Sequence, residues 1–112
     1  MAVLAVVDDL LCRERITAAA TAAGVPVTVC LGPPPGGTTW ELVLVDLNLA
    51  SGDALEAVRV LRARDPSMPI IGWCAHVQDA LRRDAAGAGC TEVLPRSAFA
   101  GRLGELLRGV KA

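Results

Sequence analysis

A chain of 112 residues can bury one core and is too short for two. With 53% apolar residues and a formal net charge of −1, it is neither a disordered segment nor a basic nucleic-acid binder. No apolar run reaches the length of a membrane span, and the first residues lack a charged start and a cleavage site, so the expected location is the cytoplasm.

Residues 2–7, AVLAVV, form the first predicted strand, closed by Asp8-Asp9. An alanine-rich helical pattern follows over 10–23. Asp9 can cap its start, and Gly24, ahead of Val25-Pro26, can stop it. Residues 26–31 read as a short second strand, with the proline placed where no ladder donor is missed. GPPPGGTT, over 32–39, cannot be helical and reads as an extended loop.

The third strand, 41–46, is apolar on both faces through Leu42, Val43, Leu44 and Val45. That is the pattern of a central strand in a parallel sheet, covered by helices on either side. It runs into a lone carboxylate, Asp46, then Leu47, Asn48, Leu49 and the turn Ser51-Gly52. Parallel sheets place their chemistry beyond the carboxyl ends of their strands, and Asp46 stands at that end.

Asp53 and Glu56 have capping-box spacing at the start of a helix over 54–64, which ends at Arg64-Asp65-Pro66-Ser67. Its arginines, Arg59, Arg62 and Arg64, read as a solvated face. Strand four covers 69–74, with Trp73 as a core or partner-contact residue, and His76 is expected at the surface. A helix over 77–86 carries the stripe Val77, Leu81 and Ala85 opposite Arg82-Arg83-Asp84, and Gly87–Gly89 should end it. Strand five covers 91–94, and Ser97 is the expected cap of a last helix carrying Phe99, Leu103, Leu106, Leu107 and Val110. This alternation gives one domain, a parallel α/β sheet with right-handed crossovers. The four cysteines (Cys12, Cys30, Cys74, Cys90) are scattered and only one histidine accompanies them. They read as free thiols used as small hydrophobes, not as zinc ligands.

The order of these parts, and above all the segment DLNLASGDALEAVRVLRARDPSMPII, resembles the receiver domain of bacterial two-component response regulators over essentially the whole chain. The resemblance implies a doubly wound, flavodoxin-like sheet of five parallel strands in the order 2-1-3-4-5. It makes Asp46 the phospho-acceptor and Asn48 the residue whose backbone carbonyl joins a Mg2+ shell with the acids that close strand one. The implied donor is a histidine kinase or phosphotransfer protein. The implied output is a protein-interaction face, also the expected face of a homodimer, built from the helix over 77–86, strand five and the last helix (helix 4, strand 5 and helix 5 in the family's count). No nucleic-acid or membrane partner is implied. Catalysis would be limited to Mg2+-dependent self-phosphorylation and autodephosphorylation. Phosphoryl transfer of this kind depends on positioning and electrostatic stabilisation, with a hard cation held by oxygen ligands.

Against the family pattern, Asp8 and Asp9 match the adjacent acids at the end of strand one only if the turn is one residue shorter. Laid without a gap, VVDDLLCRERI puts Val7 in the first acidic position, Asp8 in the second and Asp9 at the helix start. The ungapped register is preferred, with Asp8 as the direct metal ligand and Asp9 as a substitute. A weakened Mg2+ site follows from it. The switch hydroxyl position falls on Cys74, whose thiol is a weak donor. The lysine position falls on Arg96, which keeps the charge with a different geometry. The aromatic switch position falls on Val93. The family's second helix has no room between strands two and three, so a Pro/Gly loop shortens or replaces it and one sheet face should be less covered. The resemblance therefore implies a phosphorylated receiver or, alternatively, a degenerate pseudo-receiver acting as a phosphorylation-independent interaction or dimerisation module.

Overall fold

Five apolar segments become strands in the computed structural model, which describes residues 3–30, 36, 39–49, 53–75 and 78–110. They are β1 (Val3–Val6), β2 (Val27–Cys30), β3 (Leu42–Asp46), β4 (Ile70–Cys74) and β5 (Glu92–Pro95). All pair in parallel, in the order β2-β1-β3-β4-β5. Four helices alternate with them: α1 (Leu10–Ala23), α2 (Ala54–Arg64), α3 (Asp79–Ala88) and α4 (Arg96–Arg108). This is the expected doubly wound, flavodoxin-like sheet.

The two-residue period of the strands divides the core into two layers. Val3, Ala5, Leu42 and Leu44 meet Ile16 of α1 and Phe99, Leu103 and Leu107 of α4 on one face. Leu4, Val6, Val43 and Val45 meet Val58 and Leu61 of α2 and Ala85 of α3 on the other. Strand order reverses between β1 and β3, which opens a crevice at their carboxyl ends. Among the described residues no helix is long and apolar enough to cross a membrane.

Local signals set several boundaries. The Asp9 carboxylate accepts the Cys12 N–H at 3.1 Å, and Gly24 closes α1 at φ 72°, a left-handed conformation that glycine adopts without a Cβ penalty. Asp53 accepts the Glu56 N–H at 3.1 Å and opens α2.

Three expectations need correction. The helix over 77–86 runs instead from Asp79 to Ala88, passing through Gly87. Gly89 makes the stop at φ 131°, and its N–H reaches the carbonyls of Ala85 and Ala86. Ser97 does not cap the last helix. Pro95, the final residue of β5, leads straight into α4 at Arg96, leaving Ser97 inside the first turn. Arg62 does not belong to a solvated face. Its Nε and Nη2 donate to the Gly89 carbonyl at 2.9 and 2.7 Å and its Nη1 to the Asp65 carbonyl at 3.0 Å, so it ties the end of α2 to the end of α3. The carbonyls at helix ends lack intrahelical donors, and a guanidinium satisfies two such ends at once.

Most of the predicted Pro/Gly loop over 32–39 lies outside the described residues, as do Leu31, the Ser51-Gly52 turn, His76 and Val77. Among the described residues no helix stands between β2 and β3. The sheet face there is nevertheless covered over β1: Leu4 and Val6 are fully buried in a cluster that includes Trp40. The edge strand β2 remains half-open, with Thr28 exposed.

Candidate functional site

Asp46 is the one buried charged side chain among the described residues, 3% exposed at the end of the central strand. Strand alternation turns it to the same face as Leu42 and Leu44, beside Trp73 of β4 and toward α1 and α4. The Asn48 N–H donates to its Oδ1 at 2.9 Å, and the Leu49 N–H to its carbonyl at 3.2 Å, which folds the chain tightly after β3. Burial pushes the Asp46 carboxyl above its ordinary range. The Asn48 N–H and then the Arg96 guanidinium pull it back, while Asp8 and, less strongly, Asp9 push it up again.

The acids after β1 differ in their duties. Val7 is fully buried in the layer facing α1 and α4, and its N–H continues the sheet to the Cys30 carbonyl at 3.3 Å. Asp9 caps α1, while Asp8 and Asp46 interact through space. Among the described residues no three His, Cys, Asp or Glu side chains gather as a metal-binding group.

Asp9, Asp46 and Arg96 line one cavity of about 440 Å³ between α1 and α4. Its floor includes Trp73 and Phe99, whose rings stack with centroids 3.9 Å apart and planes 7° apart. Two residues assigned by resemblance to the switch lie elsewhere. Cys74 is fully buried in the layer under α2 and α3, where burial pushes its thiol upward. Val93 packs against the same layer and lines a second, shallower recess beside Asp79, Arg82 and Arg83.

Sequence reasoning missed the role of Gln78. The Asn48 Nδ2 donates to the Gln78 Oε1 at 2.9 Å, and the Ala75 N–H donates both to that oxygen and to the Asn48 Oδ1, each at 3.1 Å. These bonds clasp the turn after β3 to the chain leading from β4 into α3. Asn48→Ala and Gln78→Ala should each cost roughly 1 kcal/mol. Because they share one clasp, urea unfolding should find the double variant less destabilised than the sum of the two. Strict additivity would show that the clasp does not act as a unit. The cavity residues Arg15 and Cys12 were also missed, although helical spacing places both after Asp9 on neighbouring turns of α1.

No protein-family model matches the sequence, and no curated protein matches it. Solved structures do match. NtrX from Brucella abortus superposes with a TM-score of 0.82 at 18% identity, over 98% of this chain and 27% of that one. The chemotaxis response regulator CheY4 of Vibrio cholerae gives 0.80 at 20% identity over 99% of both chains. A Burkholderia pseudomallei response regulator, solved with a phosphorylated aspartic acid, a calcium ion and citrate, gives 0.77 at 17% identity over 98% of this chain and 66% of that one. This chain thus spans about a quarter of NtrX and the whole of CheY4. The fold is that of response-regulator receiver domains, the CheY-like form of the flavodoxin-like fold.

Proposed function

We propose that the chain is a two-component receiver that accepts a phosphoryl group on Asp46. The supporting observation is a single buried carboxylate at the carboxyl end of the central strand, lining one cavity with the Arg96 guanidinium. Oδ1 is already held by the Asn48 N–H, so Oδ2 is the oxygen that attacks phosphorus. A P–O bond forms to Asp46 as the P–N bond to the donor histidine of a kinase or phosphotransfer protein breaks. Arg96 then pairs with the phosphoryl oxygens, where charge is spread. Any catalysis by the chain itself goes no further than taking up and losing this group, and the setting is the cytoplasm.

The donors present suit Mg2+, which takes one or two carboxylates and keeps several waters. Asp8, Asp46 and the Asn48 backbone carbonyl would hold it, with Asp9 already used by the helix cap. The ion would neutralise the carboxylates and polarise a phosphoryl oxygen. With Val7 buried in the core, the ungapped register leaves a site with one acid fewer and weaker affinity.

The burial of Cys74 favours a second reading, the pseudo-receiver. A thiol packed under α2 and α3 and an aliphatic Val93 leave few contacts that differ between a phosphorylated and an unphosphorylated state, and a population shift needs such differences. In that reading α3, β5 and α4 form a constitutive partner or dimer face.

Intact-mass measurement after incubation with Mg2+ and a small phosphodonor tests the first reading. One phosphoryl mass should appear on the wild-type chain and none on Asp46→Asn. An unmodified wild-type chain, or an adduct that survives the substitution, overturns it in favour of the second.

A further inference from the structure

We propose that the cavity between α1 and α4 binds a small organic anion with an apolar body, its charged head held by Arg15 and Arg96. At about 440 Å³ the cavity is within the range of small-molecule sites, roughly 300–1,000 Å³. Ile16, Leu103 and the stacked Trp73–Phe99 pair make its inner wall. Those four side chains are at most 6% exposed and packed in the core, so the wall is preformed. At the rim Leu11 is 64% exposed, one of only two large apolar side chains so exposed among the described residues. An exposed leucine beside an apolar recess is surface that a ligand's apolar body would cover.

The cavity is lined by two carboxylates and two guanidiniums, and they differ in what they already bind. Each carboxylate accepts one backbone N–H, Asp9 from Cys12 and Asp46 from Asn48. Neither guanidinium is so occupied: among the described residues Arg15 and Arg96 form no ion pair within 4 Å and no side-chain hydrogen bond. Arg96 acts on Asp46 only through space. Both arginines are exposed, so water meets their planar donors, and a carboxylate, sulfonate or phosphate on an aromatic or aliphatic body can replace that water while its body covers the apolar wall. The inference does not depend on phosphoryl transfer.

The probe is 1-anilinonaphthalene-8-sulfonate, an aromatic sulfonate, titrated into the full chain in a Trp40→Phe background so that Trp73 reports alone. Its emission should rise saturably at one site while Trp73 emission falls. Arg15→Met combined with Arg96→Met should weaken binding about tenfold or more. Ala100→Trp, at an exposed position of the cavity wall, should abolish it. Uncharged N-phenyl-1-naphthylamine should bind the wild-type cavity about tenfold more weakly and be indifferent to the arginine substitutions. Near-UV circular dichroism verifies that each variant is folded, and the comparison of charged and neutral probes on the wild-type cavity needs no variant. Equal affinity for the two probes, or binding unchanged by Ala100→Trp, overturns the proposal. Phosphoryl uptake is not read in any of these arms, so their failure leaves the acceptor reading intact.

Discussion

Phe99→Ala is expected to lower the unfolding free energy by about 3–5 kcal/mol, a large part of the stability of a domain this size. Phe99 is 3% exposed on α4 and its ring lies flat against Trp73 of β4, so the truncation removes buried area and the stacking partner together. The neighbouring Leu103 and Leu107 are fixed on the same helix, and Ile16 is held by α1, so the space cannot close by local collapse. Urea unfolding followed by Trp73 fluorescence, in the Trp40→Phe background, reads both effects, a lower midpoint and an altered native emission. A loss below about 1.5 kcal/mol would mean that the ring pair is not the keystone of the layer between the sheet and helices α1 and α4.

Asp46→Asn should abolish phosphoryl uptake and raise stability at neutral pH. The native carboxyl titrates above its ordinary value of 3.8, chiefly because burial disfavours the charged form. Holding it ionised in the folded chain therefore costs free energy. That cost is full above the raised native value, shrinks as pH falls through it, and is gone below 3.8, where both states are protonated. Asparagine keeps an Oδ1 acceptor for the Asn48 N–H and carries no charge. The variant gives up the attraction to Arg96 but also escapes Asp8 and Asp9. The expected result at pH 7 is a higher Tm for the variant than for the wild type. Melting curves from pH 7 to pH 4 should show the gap closing. A variant less stable than the wild type at pH 7 would mean that the Arg96 attraction outweighs burial. Loss of function with a gain in stability is the usual mark of a residue retained for chemistry.

The parts that could be read from the sequence are those set by neighbours in the chain. The bounds of α1 follow from Asp9 and Gly24, one acting through a bond three residues long and the other through its own φ. The five strands follow from short apolar runs between helical patterns, and the position of Asp46 from its place at the end of one such run, whereas their order across the sheet was implied by the resemblance to receiver domains. Asp46 and Arg96 do line one cavity, as their places at the ends of β3 and β5 imply. The misplaced helix ends have a tertiary cause. Gly87 and Ser97 carry ordinary stop and cap chemistry, but Arg62 satisfies the carbonyl of Gly89, and β5 runs without a loop into α4.

By itself, then, the sequence determined the alternation of strands and helices, the caps of α1 and α2 and the lone acid at the sheet's carboxyl edge, because each rests on contacts within a turn or a strand. Only the tertiary structure decided that Cys74 packs away from the cavity, that Asn48 clasps Gln78 thirty residues on, and that Arg15 and Arg96 stand over one apolar recess. Those arrangements depend on which face of the sheet each side chain enters and which helices meet across it, distances that no local pattern encodes.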